Sequence, residues 1–257
     1  MSRAISLRDK LGSHPCFGIF IKIPRAEVID VVALAGYDFV VLDLEHSQIS
    51  YAEAREVLQA ARANGLSAIV RLPNLDAGLS NRLLEAGAEG IQVSSVDSSA
   101  TATSIKRALS YPPVGDRSIS LSQPAARYGT VPVGDYLDEF THRPLSIGQL
   151  ESVELRDDPA AIVPNLDVAF IGTLDLSVSA GTPGSVSRGR AAETITQVEA
   201  AAKQSGTTLG IFAGEVAEAL GAVERGYRYI VVGSDLGLIS AAATQAHDKL
   251  LSIQAAR

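Results

Sequence analysis

AEVIDVVALAGYDFVVLDLEH, residues 26–46, carries two periodicities back to back. From Ala26 to Gly36 the apolar residues are spaced for one face of a helix, and Gly36 stands where a left-handed C-cap favours glycine. From Phe39 a β-branched apolar run leads to Asp43, Glu45 and His46, the pattern of a buried strand with polar groups at its end. The helix-glycine-strand junction AGYDFVV (35–41) returns as ANGLSAIV (63–70) and AGAEGIQV (86–93). Further out, similar apolar runs lie at 16–23, 67–73, 90–96, 146–152, 168–175, 208–214 and 229–235, which with 39–46 makes eight. Helical segments separate them, among them 51–65, 78–88, 98–109 and 192–206, and Gly65 and Gly206 mark further helix ends. Such alternation predicts βα units and a parallel sheet. Eight units in about 250 residues predict a (β/α)8 TIM barrel, read here as a single domain over 1–257. An open doubly wound sheet is the alternative, but it ordinarily has fewer strands and a G-x-G-x-x-G turn after the first, and none follows Lys22-Ile23-Pro24.

Apolar residues make up 46% of the chain and charged residues 20%, enough for a sizeable core and against disorder. The balance of 22 Lys plus Arg against 29 Asp plus Glu leaves a net charge of −7, which argues against gripping nucleic acid or an anionic membrane. Cys16 is the only cysteine, so neither an internal disulfide nor a thiolate cluster is available. Arg3, Arg8, Asp9 and Lys10 break up what a signal peptide would need, and no long apolar span follows; a cytoplasmic protein is expected. Residues 111–145, rich in Pro, Gly and Ser, interrupt the βα rhythm. A connection of that length carries function or an interface, or is a solvated insertion, and Arg117 and Tyr128 are its candidates for contact.

In such a barrel the active site lies at the C-terminal ends of the strands. There the sequence offers Asp43, Glu45 and His46 after the second run, Arg71 in the third, Glu151 in the fifth and Asp175 in the sixth. Glu151 and Asp175 close neighbouring runs, so their carboxylates can reach one hard divalent cation such as Mg2+ or Mn2+; the plainer alternative is a pair of surface acids satisfied by helix N-termini. Arg71 suits an oxyanion or carboxylate, or a salt bridge to Asp43 or Glu45. His46 can carry a proton near neutral pH or serve as a hydrogen-bonded structural residue. A Schiff-base mechanism would need a lysine in the mouth. Lys22 is the only one close to a strand end and reads as a rim or solvent-facing charge, which favours electrophilic help from a metal. The Gly-Ser-Asp at 233–235 is a weak phosphate-loop signal.

With DFVVLDLEHS, IVRLP, LLEAGAEGIQV, YPPVGDRS, QLES and FIGTLDLS in this order, the chain resembles the HpcH/HpaI aldolases, metal-dependent enzymes for 2-oxo acids that include the 2-dehydro-3-deoxyglucarate and 4-hydroxy-2-oxoheptanedioate aldolases. The resemblance implies a barrel that cleaves or forms a carbon-carbon bond between a pyruvate-like enolate and an aldehyde. It implies a Mg2+, Mn2+ or Co2+ cofactor and a homo-oligomer, a trimer of dimers that exchanges its last helix. On the same basis Glu151 and Asp175 are the metal ligands, and Arg71 holds the keto and enolate oxygen. His46 moves the aldol proton through a water with Asp43 behind it, and Glu85 pairs with the histidine across a subunit boundary. Backbone amides around Gly172, Thr173 and Leu174 hold the substrate carboxylate, and Gln149 lies close to the metal. Where relatives often have aspartate this chain has Glu85, and where they have Pro-Met and Gly-Pro-Ala it has Ser94-Ser95 and Gly172-Thr173-Leu174. The added hydroxyls predict a polar hydroxyaldehyde as second substrate, with Ser94 in the pocket wall. Two other readings stand beside this one: a lyase for an acyl thioester or dicarboxylate, which would want a basic groove, and a barrel that binds 2-oxo acids without turnover.

Overall fold

The computed structural model describes residues 5–140 and 144–255; Arg3 and residues 141–143 of the long insertion lie outside them. Eight parallel strands close into a barrel in sequence order: β1 (Cys16–Ile21), β2 (Phe39–Asp43), β3 (Ser67–Leu72), β4 (Gly90–Val93), β5 (Leu145–Leu150), β6 (Val168–Ile171), β7 (Thr208–Ala213) and β8 (Tyr229–Ser234). Each strand is shorter than the apolar run that announced it, because the last residues of the run turn away into the connection. The tail of the sixth run becomes the helix Thr173–Ser179, and the last residue of the eighth, Asp235, opens another.

Side chains alternate along a strand, so every second residue enters the barrel. Phe20, Phe39, Val41, Ile69, Ile147, Val168, Phe170, Tyr229 and Val231 form the inner core. Phe39 and Tyr229 stack at 4.5 Å between ring centroids. Gly18 makes the space for this pair, since a Cβ there would lie 2.3 Å from the Phe39 ring. The outward residues form a second, larger layer with the surrounding helices. Those helices start at the C-terminal mouth, with side-chain caps from Ser50, Asp76 and Ser98; Ser50 and Glu53 make a reciprocal capping box. Left-handed glycines end several of them, as expected at Gly36, Gly65 and Gly206.

The opposite end is closed by the helix Leu7–Ser13, whose Leu7 and Leu11 are buried with the inner core. Residues 111–140 fold beyond the irregular connection that their composition predicts. They include a helix, Val133–Phe140, and Tyr111, Ala126 and Tyr136 form a small core of their own. The Tyr111 and Tyr136 hydroxyls are 2.9 Å apart, and the segment leans on the helix Ala77–Ala86. Arg117 is buried, stacked on Tyr111 and donating from Nε to Asn81, while Tyr128 is exposed.

Candidate active site

The alternation that fills the barrel continues past its apolar layers. Beyond Phe20, Val41, Ile69 and Ile147 the next inward positions are Lys22, Asp43, Arg71 and Gln149, followed by Glu151. Asp43 is wholly buried and is the hub of the first cluster. Arg71 spans it, Nε to Oδ1 at 3.0 Å and Nη2 to Oδ2 at 2.8 Å, and reaches Glu45 with Nη1 at 3.3 Å. The guanidinium also lies over the Phe20 ring at 4.3 Å. The salt-bridge alternative for Arg71 is therefore realised, with the fork held rigid at the mouth.

Lys22 corrects the sequence reading. Its ammonium forms an ion pair with Asp43 and donates to the His46 carbonyl at 3.1 Å, and the side chain is 22% exposed rather than free at the rim. Burial alone would raise the Asp43 pKa, but the hydrogen bonds from Arg71 and Lys22 prevail and hold it well below the usual carboxylate range. Asp43 also accepts the backbone N–H of Glu45 and His46, at 3.2 and 3.1 Å. Its contact with His46 is thus to the main chain; the carboxylate beside the imidazole is Glu45, with Oε2 at 3.7 Å from Nε2. The His46 side chain is 59% exposed and faces the opening.

Ser94 and Ser95 join this cluster to a second one. Ser94 Oγ donates to Glu45 at 2.6 Å, while Ser95 gives both its N–H and its hydroxyl to Glu151 Oε1, at 2.7 and 2.9 Å. Ser95 does so from a left-handed conformation, φ +54°, that is rare outside glycine. The Gln149 amide donates to the other Glu151 oxygen. Burial first, and then the charge of Asp175, push the Glu151 pKa up against these donors. Asp175 is exposed and belongs to the first turn of the helix Thr173–Ser179, not to the end of β6 as its run suggested. Gly172 lets that helix start against Glu151, since a Cβ would lie 2.8 Å from Oε2. The first N–H groups of the helix, at Thr173 and Leu174, have no acceptor within it.

A half-buried carboxylate whose charge is disfavoured by burial and by a neighbouring acid is a site that a cation relieves, and two oxygen donors without sulfur suit a hard divalent ion. A different group, His14, Cys16 and Asp38, brings its ligand atoms within 4.8 Å of one another at the start of β1. It is at the far end of the strand from Lys22. Asp38 already accepts the Phe17 N–H at 3.0 Å and pairs with Lys10 at 3.5 Å, and burial pushes the Cys16 thiol up to about 12. It takes no part in the mouth. Asp235, in the 233–235 turn, accepts the N–H of Lys22 and Ile23 at 2.9 and 2.8 Å, so its acid clamps β8 to β1 and is not a phosphate loop. Glu85 is half-buried on the helix Ala77–Ala86, and its charge adds to burial and the Tyr136 hydrogen bond in raising the Tyr111 pKa.

Gln92 and Tyr229 are polar residues of the barrel interior to which the sequence reading gave no role, and Lys22, Ser95 and Asp235 make contacts it did not foresee. The signal for Lys22 was the two-residue step from Phe20.

A (β/α)8 barrel with a clamped arginine and two acids at its mouth is the setting in which comparison with known proteins places a carbon-carbon lyase. The chain belongs to the HpcH/HpaI aldolase/citrate lyase family, whose profile matches residues 16–242. It is 32% identical over 221 residues to a 5-keto-4-deoxy-D-glucarate aldolase of Citrobacter koseri, covering 85% of each chain. To a hydroxypyruvate/pyruvate aldolase of Paraburkholderia phytofirmans it is 29% identical over 248 residues, 93% of this chain and 95% of the relative. Its structure superposes on an HpcH/HpaI aldolase of Desulfitobacterium hafniense with a TM-score of 0.90 at 26% identity, covering 96% and 97%. No helix among the described residues is long and apolar enough to cross a membrane.

Proposed function

We propose that this chain is a divalent-metal-dependent aldolase joining or splitting pyruvate, or a similar 2-oxo acid, and a polar hydroxyaldehyde. Glu151 and Asp175 would hold Mg2+, Mn2+ or Co2+, and the observation that carries the reading is the placement of Glu151 at the mouth, braced by Ser95 and Gln149 and met across Gly172 by the helix whose first turn brings Asp175. The cation supplies Lewis-acid stabilisation of negative charge on the keto oxygen. Arg71 holds that same oxygen with a guanidinium fixed by Asp43 and Glu45, so little reorganisation is needed when the bond breaks. In the cleavage direction the electron pair of the broken bond goes to the 2-oxo acid fragment. His46, exposed at the opening, accepts the hydroxyl proton through a water and leaves an aldehyde, a contribution of roughly two to four orders of magnitude. The N–H groups of Thr173 and Leu174, past Gly172, receive the substrate carboxylate. Ser94 and Gln149 line the pocket.

The name of one curated relative, 5-keto-4-deoxy-D-glucarate aldolase, supports a hydroxylated partner, and that of the other, hydroxypyruvate/pyruvate aldolase, supports the 2-oxo acid. The resemblance further supports one barrel domain over 1–257, a cytoplasmic homo-oligomer built as a trimer of dimers, and Glu85 serving the histidine of a neighbouring copy. Residues 111–145 contribute to an interface or to the entrance.

Exchange of the pyruvate methyl protons in deuterated buffer tests the proposal. The expected result is exchange that stops on chelation and returns with Mn2+. Arg71→Ala should abolish it in a folded protein, and Glu151→Ala or Asp175→Ala should lose calorimetric Mn2+ binding. Exchange that survives exhaustive chelation would overturn the reading.

A further inference from the structure

Three uncharged side chains run as an unbroken hydrogen-bonded line from the middle of the barrel to Glu151. Tyr229 on β8 is wholly buried, stacked on Phe39 and edge-on to Phe170, and its hydroxyl donates to Gln92 Oε1 at 3.2 Å. Gln92 on β4, also wholly buried, donates from Nε2 to Gln149 Oε1 at 2.8 Å. Gln149 on β5 then donates to Glu151 Oε2. β8 is not a neighbour of β4 or β5, so the line crosses the barrel interior instead of following the sheet.

The sense of the line is given by its hydrogen bonds. The Tyr229 hydroxyl donates to Gln92 Oε1, Gln92 Nε2 to Gln149 Oε1, and Gln149 Nε2 to Glu151, whose carboxylate can only accept. With its oxygen engaged by Gln92, Gln149 has its N–H to give to Glu151. Hydrogen bonds aligned in a low-dielectric interior also polarise one another in the same sense.

We propose that Tyr229 and Gln92 are positioning residues for the metal site: they hold the Gln149 amide in the one orientation that favours Glu151 as a charged, aimed ligand for a hard divalent cation. This rests on Glu151 being a ligand. Ser95 fixes the other carboxylate oxygen, so the line completes a two-sided clamp. Without Gln92 the Gln149 amide loses the bond that holds its oxygen away from Glu151 and its N–H in line with the carboxylate.

Satisfying buried polar groups is a requirement of any core, so the test must separate aim from stability. Calorimetric Mn2+ titration of chelator-stripped whole protein is paired with its thermal unfolding midpoint. Tyr229→Phe should weaken Mn2+ binding severalfold, and Gln92→Leu by roughly 10- to 100-fold, the range for partners that orient a metal ligand. In the double variant Gln92→Leu/Tyr229→Phe both polar ends of the upper bond are gone, so the midpoint should recover relative to Gln92→Leu while Mn2+ affinity stays low. Wild-type Mn2+ affinity in every folded variant overturns the proposal; Tyr229→Phe, which removes a single oxygen, keeps that outcome accessible if Gln92→Leu does not fold. Glu151→Gln in the same titration tells the two failures apart. If it leaves Mn2+ binding intact, the ligand assignment falls and this inference with it; if it abolishes binding while the line variants match wild type, only the line falls.

Discussion

Asp43 concentrates the electrostatics of the mouth: one buried carboxylate, two cations and two backbone donors. Because its pKa is depressed on folding, its contribution to stability is present above the unfolded value, about 3.9, and is lost as pH falls through the lower folded one. Asp43→Asn leaves Arg71 buried beside an amide, a loss of about 3–5 kcal/mol at neutral pH. The gap from wild type should narrow below about pH 4, where Asp43 of the unfolded chain takes a proton while the folded carboxylate stays charged. Urea midpoints at pH 7 and pH 3 check this, and an equal gap at both would refute it. Lys22 keeps Asp43 from wholly neutralising Arg71 and anchors the His46 carbonyl. Lys22→Met should therefore slow pyruvate exchange, by up to about 100-fold if His46 shifts, with Lys22→Arg between. The sequence made Asp43, His46 and Arg71 visible as polar residues ending apolar runs. It did not reveal that Asp43 binds the main chain of His46, because the aim of a short loop depends on donors contributed by β1 and β3.

Elements explain which acids meet. Glu151 follows β5 directly and keeps the inward parity of Ile147 and Gln149, whereas Asp175 arrives on the first turn of a helix. Strand spacing was thus a sound guide for Glu151. For Asp175 it gave the right neighbourhood by the wrong element, because apolar Leu174 and Leu176 extend the β-like run into residues that close helical bonds. The same limit hid Val133–Phe140, whose helical period lies behind Pro132 and Gly134 in a segment of turn-forming composition. Gly172 is the junction that lets helix and carboxylate approach. Gly172→Ala places a methyl 2.8 Å from Glu151 Oε2 and 2.9 Å from its Cβ, so one of the two must move. The overpacking should cost about 1–3 kcal/mol by thermal unfolding. It should also cost most of the Mn2+ affinity by calorimetry, and a variant that loses the stability but keeps the affinity would separate Gly172 from the metal site.

At the scale of the molecule, the barrel was legible because eight copies of one rhythm leave few other ways to bury eight apolar runs. What surrounds the barrel was not, since exposure is a property of the assembled surface. The helix Asp235–Ala255 is exposed from Leu236 through Ile253, and it carries Leu236, Leu238, Ile239, Leu250, Leu251 and Ile253. On the barrel itself Val31, Leu34, Val216 and Leu220 are also exposed, Leu34 at 87%. Apolar side chains repeated along a projecting helix are more than the scattered exposure of a monomer, and covering them calls for a second surface. Another copy of this chain is the expected cover, in keeping with the trimer of dimers that the resemblance implies. Light scattering after size exclusion should give an oligomer for wild type. Ile239→Lys with Leu250→Lys should give smaller species of unchanged helix content by circular dichroism, because the charges sit on the helix surface and leave the barrel core untouched. A wild-type mass equal to one chain at micromolar concentration would show that the exposed helix has some other cover, and would remove the neighbouring copy's Glu85 from the site.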